Sequence, residues 1–216
     1  MSHDSELQQA VLAELSWEPG VTSSHIGVTA NAGVVTLTGH VENFSEKHVA
    51  EIATRRVRGV KAVAEDLEVR LPFARKRGDD EIAAAALERL AWDASIPQDR
   101  FKIVVENGWV TLSGMADWNY QKIAAQQDIA ILLGVVGVSN QILIKAKVDT
   151  LGLSDEITHA LHRSWFFDDN NIKVTAIGGR VHLTGTVHSS YERQTAAEAA
   201  WAAPGSTNVE NDIVVI

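Results

Sequence analysis

Apolar and polar residues are arranged along this chain in a pattern that occurs three times. Leu7, Val11, Leu12 and Leu15 fall at roughly i, i+4 and i+8, the spacing of one helix face. Ile82, Leu87 and Leu90 repeat that stripe behind Asp80, and Ile157 and Leu161 repeat it behind Asp155. An acid near each start suits a helix N-terminus, by capping and by the dipole. Two alternating stretches follow each stripe, joined at Asn31-Ala32-Gly33, Glu106-Asn107-Gly108 and Ile177-Gly178-Gly179. Asn-Gly and Gly-Gly between such stretches mark hairpins, because the turn needs positive φ. In the second stretch Val35, Leu37 and Val41 share one face. The pattern then predicts a second helix over Ser45–Val57, Tyr120–Leu133 and Tyr191–Ala203, ended by Gly59, Gly134 and Gly205. A last strand is predicted over Asp66–Leu71, Gln141–Lys147 and Asp212–Ile216.

The three copies are in register. Gly33-Val34-Val35-Thr36-Leu37-Thr38-Gly39 returns 75 residues later as Gly108 to Gly114, and 71 residues after that as Gly179 to Gly185. The first offset also carries Trp17 to Trp92 and Gly59 to Gly134, and the second carries Asn140 to Asn211. Each copy therefore reads αββαβ. A helix joining the second and third strands favours a parallel pair, since such a crossover is the usual route to one. The expectation is an α+β chain of three tandem αββαβ units, over residues 1–72, 78–147 and 150–216. Each unit is expected to be a mixed three-stranded sheet with two helices on one face. Units of about 70 residues gain stability from their neighbours.

These motifs resemble the BON domain (bacterial OsmY and nodulation) family. The features that carry the resemblance are the helix start Asp80-Glu81-Ile82, the strand Gly108 to Gly114, the Ala124-Ala125 helix and the closing stretch Gly134 to Asn140. Glu65 stands where the other copies have Asn140 and Asn211, and Ser206-Thr207 follow Gly205 in place of a valine. The resemblance implies a non-catalytic, stress-associated and transport-associated module that binds phospholipid or envelope surfaces, without a cofactor. The alternative is a cytoplasmic protein–protein interaction scaffold that never touches lipid.

Composition narrows the classes. Lys and Arg number 19 against 28 Asp and Glu, a net charge of −9, which argues against nucleic acid as a partner. The absence of cysteine removes disulfides, thiolate zinc sites and thiol nucleophiles. No run approaches the roughly 20 apolar residues of a transmembrane segment. Met1-Ser2-His3-Asp4 does not open a secretory signal, so the chain as written is expected in the cytoplasm, and in the periplasm only if a signal has been removed.

The charge is uneven and suggests where a partner sits. Residues 1–74 carry −4, Arg75-Lys76-Arg77 carry +3, residues 78–147 carry −3 and residues 148–216 carry −5. Arg55, Arg56, Arg58, Lys61, Arg75, Lys76 and Arg77 form a candidate site for an anionic phospholipid or envelope surface. The competing reading is a solvated helix end favoured by the dipole. Trp109 and Trp118 are aromatic where the other copies are not, and Trp118 lies near Tyr120; aromatics anchor interfaces and membrane boundaries. Arg55 aligns with Ala130 and Trp201, Arg56 with Ile131, and Arg58 with Leu133. A basic face in repeat one is thus apolar later, so Ile131, Leu133 and Trp201 are expected to be covered by another repeat or a partner, or else to contact lipid.

Catalytic and metal chemistry find little support. The motif glycines do not form a phosphate loop, and the second of each pair fits close backbone packing in a strand. His159, His162 and His182 are weak metal candidates, lacking the tight paired spacing of a zinc site. Asp168-Asp169 have no repeated counterpart as an acid–base pair. No enzyme activity and no metal are expected.

Overall fold

The computed structural model describes residues 3–146, 152–163, 171–188 and 190–215. Asp168 and Asp169 lie outside the described residues. In chain order the elements are α1 (His3–Trp17), β1 (Ile26–Asn31), β2 (Val34–Val41), α2 (Phe44–Arg56), β3 (Ala62–Val69), α3 (Asp79–Trp92), β4 (Phe101–Glu106), β5 (Trp109–Ala116), α4 (Asn119–Ala130), β6 (Gly137–Ile144), α5 (Leu153–His162), β7 (Ile172–Ile177), β8 (Arg180–Val187), α6 (Ser190–Ala202) and β9 (Asn208–Val215). They form three-stranded sheets ordered β1-β2-β3, β4-β5-β6 and β7-β8-β9. In the first sheet β1 runs antiparallel to β2, with Val28 opposite Leu37, and β2 runs parallel to β3, with Val35 opposite Val63. The third sheet repeats this, with Val174 opposite Leu183 and Val181 opposite Val209. The α+β repeat of mixed sheets follows from the hairpin turn and the helical crossover.

By packing, the chain divides into two compact units. One comprises Met1–Trp92, Ile103–Thr111 and Gln127–Ser139, and the other Asp93–Lys102, Leu112–Gln126 and Asn140–Ile216. In the first, Leu7, Val11 and Leu15 of α1 and Ala50 and Ala53 of α2 join Ile26, Val28, Val35, Leu37, Val41 and Leu67 of the sheet in one buried cluster. Both helices therefore cover the same sheet face. The alanines let the α2 backbone approach closely, and Thr36, Thr38 and His40 remain partly exposed on the other face. In the second unit Leu153, Ile157 and Leu161 of α5, Ala196 and Ala200 of α6, and Val181, Leu183, Val187 and Ile213 form the corresponding cluster.

Three features differ from the pattern-based reading. The α3 stripe buries Ile82, Ala86 and Leu90, leaving Leu87 60% exposed, because strict i, i+4 spacing selects the alanine. The last strands start four residues early, at Ala62, Gly137 and Asn208. Their first residues are small or polar and show no clean alternation, but the parallel ladder already begins at Val34 opposite Ala62. Helix α4 stops at Ala130, three residues short of expectation.

Side-chain clamps explain several repeated polar residues. The Asp79 carboxylate accepts hydrogen bonds from the Asn107 and Gly108 amides at 2.8 and 2.9 Å, and Asp4 accepts from the Ala32 amide at 2.9 Å. Asp79, next to the Asp80 read as serving the helix start, thus ties its helix to the hairpin turn, as Asp4 does in the first repeat. Asn43 caps α2 by accepting from the Glu46 amide at 2.8 Å. Buried Glu46 accepts in return from the Glu42 and Thr22 amides, a reciprocal arrangement of the capping-box kind.

The third clamp accounts for the departure at Glu65. Asn140 donates to the Lys122 carbonyl at 2.8 Å, and Asn211 donates to the Arg193 carbonyl at 3.0 Å, each fastening the last strand to the second helix. In repeat one Lys47 pairs instead with Glu65 at 3.6 Å and donates to the Leu67 carbonyl. Burial raises the Glu65 carboxyl above its ordinary value, against the pull of Lys47. A carboxyl raised in the folded state holds its proton more tightly there, so stability falls as pH climbs through the raised value. Glu65→Asn is therefore expected to remove that fall. Thermal midpoints measured between about pH 4 and 7 should show the variant gaining on the parent as pH rises.

Candidate functional site

The basic residues separate into two groups. At the end of α2, Arg55 pairs with Glu51 at 2.6 Å, and Arg56 pairs with Glu18 at 2.7 Å and Glu14 at 3.0 Å. These two cations are internally balanced. Arg58 and Lys61 are exposed and carry no ion pair among the described residues. In the linker, Arg75 lies 3.9 Å from Glu42. Lys76 and Arg77 are exposed and face no carboxylate within ion-pair distance among the described residues.

Arg77 organises the linker. Its guanidinium donates to the Ala74 and Lys76 carbonyls at 3.1 and 2.8 Å. Its Cβ lies against Gly134, where an added methyl group would come within 2.8 Å of it. Arg70, Lys76, Arg77, Asp79, Gly108 and Gly134 line an open cleft of about 620 Å³. Arg70 also holds the Glu68 carboxyl below the usual carboxylate range by a hydrogen bond at 2.8 Å. The sequence reading missed Phe73, which sits in the same linker and is 91% exposed. A lone aromatic after Pro72, within a segment ending in three cations, was the signal available. Trp17 and Trp92, used above only as repeat markers, are exposed too.

Ile131 and Leu133 lie in the turn after α4, which runs into Gly134 and so to Arg77. They are 58% and 52% exposed. Helix α4 ends before them, and neither is buried among the described residues. Trp201, which aligns with Arg55 and Ala130, is half-buried.

Trp118, Tyr120 and Trp201 come together. With Ile123, Gln194 and Glu198 they line a groove of about 790 Å³ between the start of α4 and α6. Trp118 is brought there by the α4 cap, where the Gln121 side chain accepts from the Asp117 and Trp118 amides at 3.0 and 3.1 Å. Trp109 is elsewhere, half-exposed on the sheet face opposite buried Val110 and Leu112. Its ring covers Gly137, leaving no room for a Cβ. Ala62 and Asn208 occupy that position in the other sheets, opposite Val34 and Arg180. The glycine and the tryptophan thus go together.

The histidines do not converge. His159 is exposed on α5, beside Glu156 and Arg163. His162 follows on the same helix. His182 lies on the opposite sheet face from its buried neighbours Val181 and Leu183, paired with Asp212 at 2.9 Å. Among the described residues no three His, Asp or Glu side chains are grouped to hold a metal ion, and no helix is long and apolar enough to cross a membrane.

Comparison with known proteins gives three results. Residues 3–70, 78–146 and 149–216 each match the BON domain. The chain is 29% identical over 146 residues to the osmotically-inducible protein Y of Escherichia coli (strain K12), covering 66% of this chain and 73% of that protein. Two solved structures of CdsD, a structural protein of the type III secretion system of Chlamydia trachomatis, align over 98% of this chain and 92% and 98% of theirs. Their identity is 17% and their TM-score 0.27, too low to carry an argument.

Proposed function

The chain belongs to the BON domain family, in three tandem copies, and from that premise we propose that it docks on anionic phospholipid surfaces through the linker joining its first two repeats. Membership of the family supports a non-enzymatic, stress-associated binding role, and the name of its Escherichia coli relative agrees with the stress association.

The observation that carries the surface reading is Phe73, 91% exposed beside Arg75, Lys76 and Arg77. An apolar ring held in water is unfavourable, whereas at a bilayer boundary it enters the acyl region while neighbouring cations meet headgroup phosphates. Exposed Ile131 and Leu133, on the turn whose Gly134 packs against Arg77, supply further apolar side chains. An acidic chain would otherwise be repelled by such a surface, so a local cationic linker is the part able to approach it.

Sedimentation with vesicles of phosphatidylglycerol and phosphatidylethanolamine tests this. Binding is expected at low salt and should weaken steeply as salt is added. Lys76→Gln together with Arg77→Gln should weaken it roughly thirtyfold, from about 1 kcal/mol per cation near an anionic surface. Phe73→Ser should weaken it without changing the salt slope. No binding at low salt would overturn the lipid reading in favour of a protein partner.

A further inference from the structure

The groove between α4 and α6 has a chemistry unlike that of the linker. Two indoles and a phenol, from Trp118, Trp201 and Tyr120, line it. Among the described residues its one charged lining residue is Glu198, and no Lys, Arg or His lines it. Glu198 Oε1 accepts from Gln194 Nε2 at 3.0 Å, which fixes the carboxylate on the α6 face. The volume of about 790 Å³ is within the usual range for small-molecule sites. Ala197 and Ala202 contribute small side chains that leave the space open. Trp118 and Trp201 are half-buried, and Tyr120 and Ile123 are more exposed.

Repeat one shows that the fold does not require these residues. At the corresponding positions it has Asn43, Ser45 and Arg55, and Arg55 pairs with Glu51. The salt-bridged cation of repeat one is replaced by Trp201 on α6, so an aromatic ring stands where repeat one has an ion pair.

We propose that this groove binds a quaternary ammonium group. Aromatic rings are electron-rich on their faces and attract a cation over them, Trp most strongly. A carboxylate adds the balancing charge. A primary ammonium is compact and strongly hydrated, so it loses more on leaving water. A trimethylammonium group spreads its charge over methyl surface and also gains from burial beside Ile123 and the alanines. An anionic ligand would meet Glu198 with no cation among the described lining residues to offset it. This inference is independent of the linker reading: it uses other residues and a ligand of opposite charge.

Isothermal titration of the full chain with choline tests it, beside dimethylbutanol, in which carbon replaces the charged nitrogen. Choline is expected to bind at millimolar concentration or tighter, and dimethylbutanol at least tenfold more weakly. Equal binding of the two would overturn the proposal, because the groove would then be merely apolar. Trp118→Leu and Trp201→Leu should each weaken choline about tenfold, which is about 1.4 kcal/mol and within the range of a desolvated cation–π contact. Glu198→Gln, an isosteric surface change with little effect on folding, should weaken choline severalfold and leave dimethylbutanol unchanged. An unchanged choline affinity in all three variants would also overturn it. Vesicles of phosphatidylcholine, free of anionic lipid, separate the sources of the group. Binding to them that excess choline displaces assigns a lipid headgroup, and choline binding without vesicle binding assigns a free solute. No binding of choline or of these vesicles overturns the proposal, whatever the result with phosphatidylglycerol.

Discussion

Replacing Gly39 with alanine is expected to destabilise the first repeat by about 4 kcal/mol, the sum of a strained backbone and an overpacked contact. Gly39 lies within β2, opposite Ile26 on β1 and Leu67 on β3, so it cannot move without breaking both ladders. Its φ is +114°, and an added Cβ would run into the His25 carbonyl oxygen. Gly114 and Gly185 repeat the arrangement, at φ +131° and +137°, against the Arg100 and Asn171 carbonyls. Backbone atoms in a sheet have little room to yield, unlike the end of a flexible side chain. Gly178→Ala separates the two contributions. Gly178 also has positive φ, at +58°, but a Cβ there would meet nothing within 4 Å. It should cost only about 1 kcal/mol, the left-handed penalty alone. Denaturant unfolding, with hydrogen exchange of the β1–β2 amides to locate the loss, measures both. Equal costs at Gly39 and Gly178 would show that the carbonyl contact is harmless.

The second large effect is expected from an ion pair between α3 and α4. Arg89 donates from Nε and lies 2.8 Å through Nη2 from the same Asp128 oxygen, Oδ1. Asp128 is only 6% exposed, and its Oδ2 is buried without a hydrogen-bond partner among the described residues. Arg89→Ala strands that carboxylate, at a cost of about 3 kcal/mol by the usual penalty for an uncompensated buried charge. Asp128→Ala should cost less than about 1 kcal/mol, because removing a desolvated charge offsets the lost pair. Ala53 and Ala199 fill the same position in the other repeats, where the helix packs without an acid. In the double variant most of the Arg89→Ala loss should be recovered. Comparable losses from the two single variants, measured by chemical denaturation, would contradict this asymmetry.

Much of the molecule was legible because its signals are local. Positive-φ turns at Gly33, Gly108 and Gly179, and the alternation Val35, Leu37, Val41, depend on neighbours one or two residues away. The candidate residues were chosen by comparing copies, which found Trp118, Tyr120 and Trp201 but could not show that they share a groove. The same comparison grouped Arg55 and Arg56 with the unpaired cations: Glu51, four residues before Arg55 on α2, was legible from spacing, whereas the Arg56 partners Glu14 and Glu18 depend on packing between segments far apart in the chain. Phe73 was overlooked for a similar reason. An apolar residue in a sequence gives no sign of whether it will be covered.

The sequence by itself determined the three αββαβ units, their hairpins and their parallel crossovers. Hydrophobic period, turn stereochemistry and the need to satisfy backbone hydrogen bonds leave few alternatives for such a repeat. Tertiary structure decided which side chains are available. It neutralised part of the basic face, left Phe73, Ile131 and Leu133 in water, and gathered aromatics from two helices around one carboxylate. Availability depends on what lies within a few ångströms in space. Sequence spacing reports that distance inside a helix or a hairpin and loses it between elements far apart in the chain.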